Sequence, residues 1–434
     1  MRERVDSAAP KPEASADIFE VCRSYQEPSL VRAAGIYPYF HVLSESDGPL
    51  VTLNGREIVM LGANNYLGLA HHPEVREAAH AALDRYGTGC TGSRFLNGNL
   101  ELHEQLEEDL AAFTGKDAAL VFASGFLANA GVIAAMGNID GAVILSEREN
   151  HASLIDGARM ARGRRHVFSN LTELEELLST EQPGRTMVVT DAVFSMTGRI
   201  ADLRSMVDLK RRHVFRLYVD DAHGLGVLGP RGAGTAASQG VNEEVDLLFG
   251  TFSKALASLG GFVAGETAVI DYLRHKARTI IFSAALPPAS VAAAIAALRV
   301  LRTDAEIHKR LAVNTNMWRE GLRRIGYYTM GSTTPIVPVF VGSESLAFRM
   351  CKDLLELGVF ATPVAYPAVP YGQALIRTTT MASHCKSQLD KALLAFESLA
   401  KKYPLKQIVD DELPVASGID FTYAFPPAHG ASKA

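Results

Sequence analysis

The sequence predicts an α/β protein: a mostly parallel central sheet with helices on both faces, followed by a smaller C-terminal α/β domain. Two observations predict it. Over residues 51 to about 285, short apolar runs alternate with helical stretches, the pattern of strands joined by crossover helices. Leu286-Pro287-Pro288 then breaks the chain, and a helix-like stretch over 289–324 leads into short β-like runs with a helix between them. The 434 residues, 47% of them hydrophobic and 21% charged, suffice for a sizeable core and for two or three domains, or one large and one small.

The elements follow in order. Residues 1 to about 20 are polar and rich in Ala, Pro and Ser, the flexible start of an N-terminal arm over 1–50. A large domain over 51–288 carries apolar runs at 119–122, 142–145, 187–190, 217–219 and 245–249, each short enough for a buried strand. Residues 118–139 hold no charge and are long enough to raise a membrane span. Ser124-Gly125 interrupts them, and Asn129 and Asn138 lie inside, so a buried strand followed by a helix explains them better and no transmembrane segment is expected. A small domain over 289–404 carries β-like runs at 336–341 and 375–378, a helix over 345–357 and an amphipathic helix over 387–401. The tail, 405–434, is rich in Pro and Gly and lacks periodicity.

A formal net charge of -5 gives no electrostatic case for nucleic acid. Two basic clusters, Arg162-Gly163-Arg164-Arg165 and Lys210-Arg211-Arg212, read as solvated helix ends. Cys22, Cys90, Cys351 and Cys385 are scattered without a CxxC spacing, which indicates neither a metal site nor a disulfide framework. With no apolar segment near the N-terminus to act as a signal, a cytoplasmic location is expected.

Two segments carry chemistry. In Gly250-Thr251-Phe252-Ser253-Lys254-Ala255-Leu256 a lysine follows two hydroxyl residues and precedes small and apolar ones. Desolvation disfavours its ammonium form, and a neutral amine attacks aldehydes. The hydroxyls suit a phosphate, so the segment suggests pyridoxal 5'-phosphate (PLP). A buried turn with a solvent-reaching lysine is the alternative for this segment alone. Upstream, Leu217-Tyr218-Val219-Asp220-Asp221-Ala222-His223-Gly224 sets acids at the C-terminal end of a strand, where open α/β sheets bind ligands. One carboxylate there suits a pyridinium, and His223 suits the phenolic oxygen beside it. Ser124-Gly125-Phe126 follows a strand and opens a helix, a place where backbone N–H groups and the helix dipole meet an anion.

These segments, in this order, resemble fold-type I PLP-dependent transferases. Asn64-Asn65-Tyr66-Leu67-Gly68, the glycine-rich stretch Gly87 to Arg94, Asn150-His151-Ala152-Ser153, Val193-Phe194-Ser195-Met196-Thr197-Gly198, Phe282-Ser283-Ala284-Ala285-Leu286-Pro287-Pro288 and Met381-Ala382-Ser383-His384 narrow the resemblance to the α-oxoamine synthases. It covers residues 37 to about 401. Around Lys254 and over Ala257 to Gly261 it is most similar to the serine palmitoyltransferase branch. Synthases of natural-product pathways are close rivals, and related members make 2-amino-3-ketobutyrate, 8-amino-7-oxononanoate and 5-aminolevulinate.

The resemblance implies a decarboxylative condensation of an amino acid, L-serine first, with a long-chain acyl thioester of coenzyme A or acyl carrier protein, giving a 3-keto amino alcohol. It implies that Lys254 anchors PLP and acts as base, that Asp220 pairs with the pyridine nitrogen, and that His151 lies over the ring. His223 and Ser195 would meet the phenolic oxygen. Asp221, which stands where the family usually has glutamate, would point away. Ser124, Gly125, Phe126, Thr251 and Ser253 would hold the phosphate, and Ser283 would reach that of a neighbouring subunit, which implies a homodimer with shared active sites. Arg377 would bind the substrate carboxylate through both arms of its guanidinium. Asn65 would lie near the amino acid and Arg94 at the thioester entrance, whereas His384 is read as structural.

Two alternatives stand beside this. An aminotransferase on the same fold would share Asp220, Lys254 and Arg377 but not the segments at His151 and Ser195 together. A catalytically dead partner subunit of this family would lack the lysine, which this chain retains.

Overall fold

The computed structural model describes residues 18–403; of the flexible start expected over 1 to about 20, residues 18–20 open the helix Ile18–Ser24 and the rest lies outside the described residues, as does the tail expected over 405–434. Strands β1 (Leu43–Asp47), β2 (Leu50–Leu53) and β3 (Arg56–Met60) form an antiparallel meander. Next come β4 (Ala118–Phe122), β5 (Val143–Glu147), β6 (Arg164–Phe168), β7 (Thr186–Asp191), β8 (Arg216–Asp220), β9 (Leu247–Thr251) and β10 (Gly261–Gly265). These make a seven-stranded sheet in the order β4-β10-β9-β8-β7-β5-β6. Strands β9, β8, β7, β5 and β6 pair in parallel, and β10 pairs antiparallel with both β4 and β9. Strands β11 (Ile336–Gly342), β12 (Val359–Phe360), β13 (Thr362–Val364) and β14 (Ala374–Thr379) follow. Of these, β11, β14 and β13 form a small antiparallel sheet, while β12 joins β3 in parallel and ties the two ends of the chain together.

The central strands are uninterrupted apolar runs because helices cover both faces. Side chains alternate across the sheet. Tyr218, Ile144, Met187 and Val189 pack with Ala128, Val132, Leu154, Ile270 and Leu273 of helices Gly125–Gly137, Ala152–Met160 and Thr267–Lys276. Leu217, Val219, Leu145 and Val188 pack on the other face with Leu174 and Met206 of helices Leu171–Thr180 and Leu203–Lys210. Residues 118–139 form β4 and the helix Gly125–Gly137, and among the described residues no helix is long and apolar enough to cross a membrane.

Three local expectations are corrected. The cluster at 162–165 does not end a helix but opens the edge strand β6, whose exposed Arg164 and Arg165 suit an edge that must not pair with another chain. The helix-like stretch 289–324 is two helices, Pro288–Thr303 and Ile307–Ile325, divided where Asp304 accepts hydrogen bonds from the Glu306 amide at 3.0 Å and from Arg310 at 2.6 Å. The segment after Lys254 turns back as a strand, β10, which its small residues had concealed.

Candidate active site

The loops that leave β4, β5, β7, β8 and β9 meet at the C-terminal edge of the sheet. They enclose a cavity of about 230 Å³ lined by Ser124, Gly125, Phe126, His151, Ser195, Asp220, His223, Thr251, Ser253 and Lys254, together with Asn129, Ser153, Asp191 and Leu259. A larger hollow of about 660 Å³ opens at the opposite end of the strands around Lys116, Arg216 and Asp246, but Asp246 there is paired to Arg216 and Lys210.

One end of the cavity is an anion cradle. Ser124 caps the helix Gly125–Gly137, its hydroxyl accepting from the Leu127 amide at 3.2 Å. Gly125 begins the helix against β9 and β10. A Cβ there would lie 3.0 Å from Thr251 Oγ1, and a Cβ on Gly261 would lie 2.7 Å from the Gly125 Cα. Only glycines let the first turn, with its unpaired N–H groups, come this close to the sheet. Thr251 Oγ1 donates to the Gly260 carbonyl at 3.0 Å and lies 3.0 Å from Ser253 Oγ. Helix amides and hydroxyls therefore line the same end of the cavity.

The other end is acidic. Asp220, last in β8 and 3% exposed, accepts from Asn129 Nδ2 at 2.7 Å and from the Ala222 amide at 2.9 Å. Asn129 is aimed in turn by Tyr218 Oη at 2.6 Å. Burial raises the pKa of Asp220, against the pull of Lys254 and His151. Asp221 faces away: its two oxygens accept from the Thr235 amide and hydroxyl, both at 2.6 Å, and burial pushes its pKa up to about 6.

Between the two ends sits Lys254, in the turn after β9. Burial lowers its pKa, while Asp220 and Asp191 draw it back up. His151 caps the helix Ala152–Met160, with Nδ1 2.8 Å from Ser153 Oγ, and burial lowers its pKa. His223 Nδ1 lies 2.7 Å from Tyr66 Oη, and burial holds this imidazole well below its usual range, hence neutral.

Arg377 reaches the site from the middle of the small sheet. Its Nε donates to the Ser195 carbonyl at 2.6 Å and its Nη2 to Asn64 Oδ1 at 2.9 Å. The guanidinium also hydrogen-bonds Tyr66, so the Ser195 carbonyl, Asn64 and Tyr66 together hold it beside the cavity. Asn65 is not gathered in; the Ala70 amide donates to its Oδ1 at 3.4 Å.

Arg94 is corrected. Its side chain is 7% exposed and its donors are taken by Glu107, by Glu104 at 3.4 Å and by Asn99 at 2.7 Å, so the guanidinium braces the fold and is not free for a substrate. His384 is structural as expected, accepting from the Met381 amide at 2.9 Å and lying 3.1 Å from the Met60 carbonyl. Ser283 lies outside the cavity of its own chain, half-buried beside a Phe282 that is 71% exposed.

Sequence reasoning missed Asn129, which holds Asp220, and three further residues. Asp191 ends β7 directly opposite Asp220 in register and accepts from the His151 amide at 2.6 Å. Burial first, and Asp220 second, push its pKa well above the carboxylate range. The signal was present: Asp191 follows the apolar run 187–190 as Asp220 follows 217–219. Asn64 and Tyr66 flank the Asn65 that was chosen in their place.

A cradle for a dianion, a buried carboxylate at the far end and a lysine of lowered pKa between them form the donor set that PLP requires. A family model of aminotransferase class I and II matches residues 56–396. A serine palmitoyltransferase of Bacteriovorax stolpii is 45% identical over 89% of this chain and 93% of its own length. An 8-amino-7-oxononanoate synthase of Geotalea daltonii is 42% identical over 87% of this chain and 97% of its own length. A solved serine palmitoyltransferase of S. paucimobilis, with bound PLP and myriocin, is similar with a TM-score of 0.85 at 31% identity, covering 89% of this chain and 99% of that one. The chain belongs to the aminotransferase class I and II family of fold-type I PLP enzymes, and within it to the α-oxoamine synthases. It is a PLP-dependent acyltransferase that condenses an amino acid with an acyl thioester.

Proposed function

We propose that the chain condenses L-serine with a long-chain acyl thioester, releasing carbon dioxide and a 3-keto amino alcohol. The observation that carries this is the 45% identity to a serine palmitoyltransferase over nearly the whole of both chains. The 42% identity to an 8-amino-7-oxononanoate synthase supports a different amino acid and acyl group on the same machinery.

PLP, when bound, supplies an electron sink for charge developing at the amino acid's α-carbon. The other roles fall to this chain. Lys254 is the amine that would anchor the cofactor and the base that would move the α-proton, roles that a lowered pKa favours. Asp220 holds the pyridine nitrogen in its protonated form, and the hydrogen bonds from Asn129 and Ala222 keep the carboxylate aimed. His151 would flank the cofactor's ring, while His223 and the Ser195 hydroxyl would hydrogen-bond its phenolic oxygen. Ser124, Gly125, Phe126, Thr251 and Ser253 bind the phosphate. Arg377 would take the substrate carboxylate, while Asn65 and Arg94 lie outside the cavity lining.

Initial rates with serine, alanine and glycine against acyl thioesters of graded length test the assignment, with product mass as readout. Serine with long chains should win. Faster condensation of alanine or glycine at every length moves the chain to another branch and leaves the site roles intact.

Two further results are expected. Arg377→Ala raises the KM for the amino acid about tenfold to a hundredfold, the worth of a lost charge-assisted contact, and changes the KM for the thioester less. The active unit is a homodimer in which Ser283 serves the neighbouring subunit's phosphate site. Lys254→Ala and Ser283→Asp proteins are each inactive, and mixing them restores activity, because one site of the mixed dimer keeps both an intact lysine and a neutral Ser283. No recovery despite proven subunit exchange rejects the shared site.

A further inference from the structure

His223 is buried and neutral, so it carries one ring proton, and which nitrogen holds that proton decides whether it donates to or accepts from a group in the cavity. Its Nδ1 faces Tyr66 Oη at 2.7 Å, leaving Nε2 for the cavity. Tyr66 is 1% exposed, and burial keeps its phenol protonated. Its single proton has two acceptors within reach: His223 Nδ1 at 2.7 Å and Asn64 Oδ1 at 3.3 Å. The second distance is long for a hydroxyl donor, and Asn64 Oδ1 already accepts from Arg377 Nη2 at 2.9 Å. The Tyr66 hydroxyl therefore donates to Nδ1, which accepts, and the ring's own proton sits on Nε2.

We propose that Tyr66 is a positioning residue that locks His223 as the Nε2–H tautomer, so that a proton donor would face the cofactor's phenolic oxygen, and that Asn64 contributes to holding Arg377. The inference rests on the role given to His223 above. Tyr66 does not line the cavity; it acts through the imidazole, and its hydroxyl also accepts from Arg377. The loop 61–68 thus serves both ends of the chemistry from adjacent turns, Tyr66 through His223 and Asn64 through Arg377. The charged and titratable groups that face His223 are Lys254, Arg377 and His151, and none of them takes over the contact at Nδ1.

The test is a pH titration of the visible absorbance of the holoenzyme without substrate. A donor on the phenolic oxygen stabilises its anionic form and lowers the midpoint. Tyr66→Phe keeps the aromatic volume and removes the hydroxyl, so its midpoint should rise by about one pH unit, the worth of one neutral hydrogen bond. Asn64→Ala should leave the midpoint in place and raise the KM for the amino acid severalfold. Thermal midpoints of both variants are read alongside; a purely structural role would lower stability and leave the titration unmoved. A normal band whose midpoint is unchanged in Tyr66→Phe overturns the inference, as does an equal shift in Asn64→Ala. A wild-type protein with no visible band at any pH overturns the cofactor assignment itself, and the inference with it.

Discussion

Lys254→Ala should lower turnover about ten-thousandfold or more while leaving the protein folded and still able to bind PLP weakly. General-base catalysis alone contributes up to about ten-thousandfold, and this substitution also removes the covalent anchor. Weak binding survives because the cradle around Ser124, Gly125, Thr251 and Ser253 is independent of the lysine. Folding survives because a buried ammonium does not stabilise the native state; burial is the largest influence on Lys254 and it opposes the charge. The pH dependence has a definite sign. A lowered pKa means that the amine is neutral at a lower pH than an exposed lysine, so the apoprotein's rate of PLP capture should rise with pH through a midpoint below that of free lysine. Borohydride reduction followed by peptide mapping identifies the residue directly. Label on another lysine rejects the assignment, and so does a Lys254→Ala protein with full turnover.

How much of this was legible in the chain depends on how local the signal is. Asp220 could be read because an apolar run ending in an acid is a strand end, and His223 because it follows within one turn. The parallel strands could be read because helices on both faces force unbroken apolar runs. Strand β10 could not, since Gly261 and Gly265 at its ends are turn residues by composition; only the close approach of Gly125 explains why a strand carries glycine there. Strand β6 was hidden by its own edge position, which selects charge over apolar alternation. The choice of Asn65 over Asn64 shows another limit. In a loop without periodicity, neighbouring side chains point in unrelated directions, and only Arg377, far along the chain, tells which one faces the site. Arg94 failed for the same reason. Its partners Glu104 and Glu107 sit one turn apart on the helix Glu101–Thr114, and in sequence they look like an ordinary solvated face.

The adjacent acids make the second large effect a controlled comparison. Asp220→Asn should lower turnover by about a thousandfold, near the upper end of what one aimed group contributes to stabilising developing charge. Asp221→Asn should leave turnover within a few-fold of wild type, because its side chain meets Thr235 on the far side of the strand and not the cavity. Both substitutions preserve volume, so the difference isolates charge. Asp221 should instead report in stability. Its folded pKa is raised to about 6, above the unfolded value, so the stability it contributes is complete below roughly pH 4 and is lost as pH rises through about 6. Asp221→Asn should flatten that part of the stability-against-pH curve, measured by urea denaturation at a series of pH values. Asp220 is also raised by burial, but Lys254 and His151 pull it back, so its removal disturbs the site's charge balance as well as its chemistry. The two variants therefore separate along different axes, turnover for one and pH-dependent stability for the other. Comparable losses of turnover in both would reject Asp220 as the group that holds the pyridine nitrogen, since only one of two carboxylates on opposite faces of a strand can meet the same atom.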